Sequence, residues 1–445
     1  MAMKLSRRQF VATGATVTVG LSSCSGDATP PEVIDPATAG GVVDLQAFAW
    51  GIQVGDATDT AALLSVRTLE PRLLLQVWME VANGWERVQH DEVHTPDNGV
   101  VQLELSGLAS NTRYAHAFYS EDRTRRTVVG YWRTAPATGT RRVIRFGASC
   151  CFGGNAPWPV LTRAAQEQLD FFILLGDTVY ADHGEDAFDY EGKWNAALQV
   201  TGLIDLTAST SIVALWDDHE VDNDWSWATG GIEDQVADAK AAFRRGLPQR
   251  SGPNDVMWRK LSWGETLDVF VLDLHGERRD GNIVSPEQLQ WLKDELAASP
   301  AVFKVVLNSV PMTDFSETPV GALEADGRWQ GYAAQRTELL SHIRNEAIEG
   351  VVWITGDVHT GGACLIDPPG QPGESQHEII AGPGGSPISP VGFLRPSGQI
   401  LNIVPMWNYV RFEADPDART VHAVFIGDDG QELAEWGHAL RPKGK

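Results

Sequence analysis

Cys150, Asp177, Tyr180, Asp217, Asp218, Asn308, Asp357 and His359 are sulfur, oxygen and imidazole donors, and each stands at or just beyond the end of a short apolar run. Gathered in one place without cations, the four carboxylates would repel one another and their pKa values would climb. Bound metal relieves that. Hard oxygen donors suit calcium, magnesium or ferric iron, and a thiolate adds a softer ligand. Two ions ~4 Å apart activate a water and clamp the oxygens of an in-line phosphoryl displacement. Tyr180 falls three residues after Asp177, near enough to reach the same ion.

Side chains so distant in the chain meet only if the backbone places them. The apolar runs are 143–146 before Gly147-Ala148-Ser149-Cys150, 171–175 before Gly176-Asp177-Thr178-Val179-Tyr180, 212–216 before Asp217-Asp218-His219-Glu220, 305–307 before Asn308-Ser309, and 351–355 before Gly356-Asp357-Val358-His359. Short, wholly apolar runs suit central strands buried on both faces. Helical segments lie between them. Ser285-Pro286-Glu287-Gln288 opens the clearest, with Ser at the N-cap, Pro at the first helical position and Gln three residues after the cap. Such alternation specifies a layered α/β architecture, whose functional groups collect on loops beyond the carboxyl ends of the strands. The five polar clusters are therefore expected to converge. Near the C-terminus, 409–412 and 421–425, separated by Asp415-Pro416-Asp417, predict a hairpin completing a second sheet.

The motifs Ala148-Ser149-Cys150, Gly176-Asp177-x-x-Tyr180, Trp216-Asp217-Asp218-His219-Glu220 and Gly356-Asp357-Val358-His359 resemble, in order, those of the PhoD-like alkaline phosphatases. These belong to the calcineurin-like metallophosphoesterase superfamily and are similar to purple acid phosphatases. Gly51-Ile52-Gln53-Val54-Gly55-Asp56-Ala57-Thr58 is similar to the opening motif of that family's β-rich N-terminal domain. The resemblance implies an α/β (α+β) metallophosphoesterase-type layered sandwich of two β-sheets flanked by helices, preceded by a small all-β fibronectin/Ig-like domain. It implies Fe3+ with one or two Ca2+ ions, other divalent metals being admissible. The implied activity is hydrolysis of phosphate mono- or diesters, with an alkaline optimum, by a metal-activated hydroxide.

Carried over motif by motif, Cys150, Asp177 and Tyr180 would bind iron, with Asp177 bridging. Asp218 takes a further ligand position and shares the catalytic step with His219. Asp357 and His359 would complete the metal shells, and Asn308 fits by its strand-end position. His219 matches the histidine that contacts substrate phosphate or protonates the leaving group. Where the family often has Asp-Thr-Arg with a second Arg shortly after, this chain reads Asp273-Leu274-His275-Gly276-Glu277-Arg278. Arg278 remains as a phosphate or structural contact. Cys151 follows Cys150, so either sulfur could be the ligand, and motif position favours Cys150. Cys364 reads as core, and Gly382-Pro383-Gly384-Gly385-Ser386 as a turn at the site rim rather than a phosphate loop.

The remaining segments set an address and a frame. Residues 1–24 read as a twin-arginine signal, with Ser6-Arg7-Arg8-Gln9-Phe10 before a short apolar stretch and a lipobox-like Leu21-Ser22-Ser23-Cys24. Cys24 is then the lipidated residue, although a stray cysteine near a conventional cleavage site reads similarly. Residues 25–41 are Pro-, Ala-, Thr- and Gly-rich, as in a flexible tether. Residues 42–138 alternate in short runs broken by turns, as in a β-sandwich with Tyr114 inward, and 141–445 hold the metallophosphatase motifs. The protein is expected to be exported and periplasmic or at the cell surface, touching membrane only through the lipid.

Over 445 residues, 59 acidic against 35 basic residues give a net charge of −24, which excludes a general nucleic-acid or anionic-membrane binder. Four cysteines in so long a chain are no disulfide framework. Expected partners are small phosphate esters, phospholipid or teichoic-type diesters among them, and a monomer is expected. A phospholipase D-like phosphodiesterase on the same scaffold, or a non-catalytic surface lipoprotein, are the alternative readings.

Overall fold

The computed structural model describes residues 17–20, 34–315, 327–396 and 398–440. The paired arginines and Cys24 lie outside them. The strands Ile144–Ser149, Phe171–Leu175 and Ser211–Leu215 run parallel and adjacent, and every residue of the latter two is buried. Leu267–Val271, Phe303–Asn308, Val351–Thr355 and His377–Ile380 form a parallel run in a second sheet. The five motif-bearing strands are thus divided, three in one sheet and two in the other. Both sheets present their carboxyl ends to the same region.

Strands apolar on both faces require cover on both sides. Between the sheets, Phe146, Phe171, Phe412 and Trp263 stack at 4.7–4.9 Å and meet Val269, Val305, Leu307, Val352 and Ile354 from the second sheet. On the outer face of the first sheet lie the helices Pro159–Ala164, Ala187–Ala197, Thr201–Thr207 and Glu233–Gly246. Pro286–Ala298 and Ala333–Asn345 cover the second sheet. Ser285 caps the first of these as its spacing predicts, its side chain accepting from the Gln288 amide at 3.1 Å. The result is helix, sheet, sheet, helix.

The C-terminal hairpin corrects one expectation. Asn408–Asp415 pairs antiparallel with Ile144–Ser149, and Thr420–Gly427 and Glu432–Ala439 follow it. They extend the first sheet. The open edge of the Ile144 strand offered unpaired backbone groups, and the hairpin satisfies them.

The N-terminal strands Gln53–Gly55, Ala61–Arg67 and Val100–Ser106 pair antiparallel. They face a second layer of Leu73–Val81, Gly84–His94, Arg113–Ser120 and Gly130–Arg133 across a core that includes Val54, Leu64, Leu75, Leu103, Phe118 and Trp132. Tyr114 is fully buried, and its hydroxyl accepts from the Ala109 amide at 2.8 Å. This layer is not detached from the rest. Gly55 pairs with Ile212, so Gln53–Gly55 continues the first sheet beyond Ser211–Leu215. A Cβ on Gly55 would stand 1.6 Å from the Pro248 carbonyl oxygen, so only glycine fits. Next to it, the buried Asp56 carboxylate accepts from Arg259 at 2.6 and 3.0 Å and from the Arg250 amide at 2.6 Å. Arg259 also donates to the Ala214 carbonyl at 3.1 Å, three residues before Asp217. Among the described residues no helix is long and apolar enough to cross a membrane.

Candidate functional site

The reversals at the strand ends are built from strained backbone. Cys151, Asp177, Asp357 and His359 have φ of 56°, 54°, 68° and 51°, the left-handed region that is uncommon for non-glycine residues and least comfortable for a cysteine. Close approach dictates the glycines before both aspartates. A Cβ on Gly176 would lie 2.7 Å from the Asp217 Cβ, and one on Gly356 would lie 2.9 Å from the Cys150 Cβ.

Around these turns the donors meet. The Cys151 Sγ lies 3.4 Å from the Asp177 Oδ2, and the Tyr180 hydroxyl lies 3.3 Å from the same oxygen. Tyr180 is also 3.1 Å from the His359 Nε2. The His359 Nδ1 donates to the Pro387 carbonyl at 3.0 Å, which leaves the Nε2 lone pair toward the cluster. Ligand atoms of Cys151, Asp177 and His359 fall within 4.8 Å of one another, as do those of Asp177, Asp218 and His219. Asp177 belongs to both groups, and its Oδ1 is buried with no hydrogen-bond partner.

The sulfur in this cluster belongs to Cys151, where motif position had favoured Cys150. The Cys150 Sγ rests 3.5 and 3.7 Å from the carbonyl oxygens of Ala381 and Gly382. The kink at Cys151 sets its sulfur against Asp177, with the two sulfurs 3.3 Å apart and both residues fully buried between the sheets. The Gly382–Ser386 turn holds that kink. The amides of Gly384, Gly385 and Ser386 donate to the Cys150 and Cys151 carbonyls at 2.7, 3.1 and 3.0 Å. Ser386 also reaches the site, its hydroxyl 2.8 Å from that of Tyr180.

The remaining candidates sit around the cluster. Asp218 accepts from the amides of His219 and Asp224 at 2.9 and 2.6 Å. The Asn308 Oδ1 accepts from the Trp329 indole at 3.0 Å, and its Nδ2 is buried without a partner. Asp357 is paired with Arg328 at 2.8 Å. Arg278 is buried and donates to the Trp225 carbonyl at 2.6 Å, and its charge reaches Asp217. The His275 Nδ1 lies 2.7 Å from the Asp217 Oδ1, and burial, with Arg278 adding to it, lowers its pKa to about 4.

Sequence reasoning missed Glu220, Arg328, Trp329 and Ser386 as supports. Glu220 is fully buried, and its carboxylate accepts from the amides of Asp177, Thr178 and Asp217 at 3.0, 2.6 and 2.9 Å. One side chain thus fixes two ligand-bearing turns. Its place in Asp217-Asp218-His219-Glu220 was the only available signal. Beside it, the His219 Nδ1 lies 2.7 Å from the Asp182 Oδ1.

The donor chemistry fits metal. Burial raises Asp177 well above the usual carboxylate range, and Cys151, Asp218, Asp217 and Glu220 add to it. Burial pushes Asp217 and Glu220 up to about 7, and lifts the Cys151 thiol and Tyr180 phenol above their ordinary values. A thiol, a phenol, an imidazole and several carboxylates crowded out of water are a poor arrangement without cations and a good one with them. Cys151, Asp177, Tyr180 and His359 would hold one ion. Asp177 and Asp218 would hold a second.

Comparison with known proteins agrees with this geometry. At 25% identity over 392 residues the chain is similar to alkaline phosphatase D of Bacillus subtilis (strain 168), covering 72% of this chain and 65% of that protein. It therefore spans just under two thirds of that curated relative's length. The fold is shared with a solved PhoD structure, at TM-score 0.76 and 21% identity over 89% of this chain and 92% of the other. It is also shared with a purple acid phosphatase from yellow lupin (Lupinus luteus) seeds, at TM-score 0.63 and 13% identity over 87% and 73%. The PhoD-like phosphatase profile matches residues 146–399, more than half of the chain and all of the motif-bearing strand ends, and the chain belongs to that family.

Proposed function

We propose that this protein hydrolyses phosphate esters outside the cytoplasm, with metal ions held at the cluster around Asp177. The supporting observation is the sharing of Asp177 between two ligand groups, beside a histidine backed by a carboxylate. We read the ions as Fe3+ on the Cys151, Tyr180 and His359 side and Ca2+ on the Asp218 side. Bound ions supply a deprotonated water nucleophile and positive charge for the phosphoryl oxygens.

The protein's own groups do the rest. Asp182 accepts from the His219 Nδ1 and so turns the Nε2 away from itself, where a protonated imidazole can donate to a leaving-group oxygen. The charges of Asp218 and Asp182 overcome the effect of burial, and the His219 pKa is raised, which keeps that proton available. Glu220 locks the turns from behind. Arg278 and Arg328 bring positive charge beside Asp217 and Asp357.

The N-terminal strands, with Tyr114 bonded back to Ala109, are read as a fibronectin-like module bracing the first sheet. Export by the twin-arginine route and a lipid at Cys24 complete the proposal. The deciding experiment pairs elemental analysis of natively exported protein with turnover of p-nitrophenyl phosphate and its bis-ester. Metal-bearing protein that cleaves neither would end this reading, and the ratio of the two rates separates monoesterase from diesterase.

A further inference from the structure

A groove lies at the opposite ends of the same strands. It measures about 880 Å³, between the N-terminal strands and the first sheet, and Val143, Asp170 and Ser209, just before the three parallel strands, help line it. Strands of five or six residues put it ~15–20 Å from the metal cluster. Arg113, Arg133, Arg142 and Arg145 all line it, in a chain that is strongly acidic overall.

The four guanidinium groups are not equally engaged. Arg142 grips Asp170 in a bidentate pair at 2.6 and 2.8 Å and also donates to the Val143 carbonyl and to Asn111, so its donors are committed. Asp170 is spent on that pair and on the Arg145 amide. Arg133 stands 3.9 Å from Asp170 and donates to the Asn111 carbonyl. Arg145 makes one contact, to Glu413 at the rim, and Arg113 one ion pair, to Glu80 at 3.5 Å. The other lining carboxylates are held elsewhere, Glu167 by Arg411 and Tyr409, and Asp205 by Thr162. Spare N–H donors on Arg113, Arg133 and Arg145 therefore border one groove, and Arg133 shares its carboxylate, Asp170, with Arg142. Arg133 is half-buried there, and burial, with Arg142 and Arg113 adding to it, lowers its pKa against the opposing pull of Asp170 and Glu80. The Tyr131 ring, against which the Arg113 guanidinium stacks at 5.5 Å, supplies an apolar wall.

We propose that this groove is a second binding site, for a phosphate-bearing small molecule, distinct from the metal cluster. Planar guanidinium forks match phosphate oxygens, and an aromatic wall suits an organic substituent on the phosphate. A bound anion would give Arg133 the close partner that Asp170, gripped by Arg142, does not supply. The proposal does not depend on hydrolytic activity.

Calorimetric titration of the metal-bearing protein tests it, with inorganic phosphate in one arm and non-hydrolysable phenylphosphonate in the other. Two sites are expected, one at the metals and one in the groove. Tighter groove binding of phenylphosphonate identifies an organic phosphate as the ligand, and equal binding identifies free phosphate. Arg145→Gln and Arg133→Gln should each weaken only the groove site, at least ~10-fold, and leave phosphate inhibition of ester hydrolysis unchanged. The Arg145 side chain is 58% exposed, so its substitution should not disturb folding. A wild-type isotherm with only the metal-competitive site, or an Arg145→Gln isotherm matching wild type, overturns the proposal.

Discussion

The imidazole of His219 is held from two sides, by the Asp182 carboxylate 2.7 Å from its Nδ1 and by the Tyr180 ring, tilted at 32° with its centroid 3.9 Å away. Asp182 is the orienting partner in this arrangement. Asp182→Asn should lower kcat ~10–100-fold for an alkyl phosphate, whose leaving group needs a proton, and much less for p-nitrophenyl phosphate. The acid form exists below the His219 pKa and is lost above it, so removing a charge that raises that pKa should move the alkaline limb of the rate profile to lower pH. Equal losses with both leaving groups would place Asp182 outside the proton-transfer step.

The two adjacent cysteines should behave differently. Cys151→Ser is expected to lose bound metal and activity, because its sulfur faces Asp177. Cys150→Ser should retain metal, its hydroxyl finding the carbonyls that the thiol now faces. Metal content by elemental analysis decides the matter, and the reverse result would return the ligand role to Cys150.

Glu220→Gln exchanges a carboxylate that accepts from several amides for a group with one acceptor oxygen and an unwanted donor. Destabilisation of ~2–4 kcal/mol is expected, with weaker metal retention. Denaturant melts of the metal-bearing and chelated forms measure both effects, and wild-type stability in both would show that the cradle is dispensable.

Chelated protein should lose stability as pH rises. Asp217 and Glu220 have folded pKa values of about 7 against ~4 in an unfolded chain, so the native state binds more protons between those limits. Their contribution is complete below ~4 and is lost as pH passes through about 7. Thermal melts in chelator should therefore fall from pH 5 to pH 8, and added metal should remove the trend. A chelated protein equally stable at both pH values contradicts it.

Asp56→Asn leaves the buried Arg259 guanidinium without its counter-charge at the joint between the N-terminal strands and the first sheet. The expected cost is ~3–5 kcal/mol. Because Arg259 also holds the Ala214 carbonyl, the Asp217–Glu220 turn should loosen as well. Hydrogen exchange across residues 211–220 would report it, and unchanged protection there would confine the effect to the joint.

Much of the layered fold was legible in the sequence. Apolar runs at 171–175 and 351–355 read as buried strands, and because Gly-Asp alone is common in turns, it was the recurrence of polar clusters at five strand ends that pointed to a site. Ser285 and Pro286 announced their helix for equally local reasons. The division of five strands between two sheets and the destination of the 408–427 hairpin were not legible. Strand partners are chosen by burial against residues far away in sequence, which no local pattern encodes.

Residue types and their order pointed to the chemistry: carboxylates, a thiol, a phenol and histidines at successive strand ends are donors that suit metal once the backbone gathers them. Tertiary structure alone showed which sulfur lies against Asp177. Motif position favours Cys150, but a left-handed turn at Cys151, pinned by amides from residues 384–386, sets the Cys151 sulfur against Asp177 while the Cys150 sulfur faces the Ala381 and Gly382 carbonyls. It also decided that Glu220, Asp182, Arg328 and Trp329 support the cluster, since a supporting role is a matter of distance and direction, and a sequence carries neither.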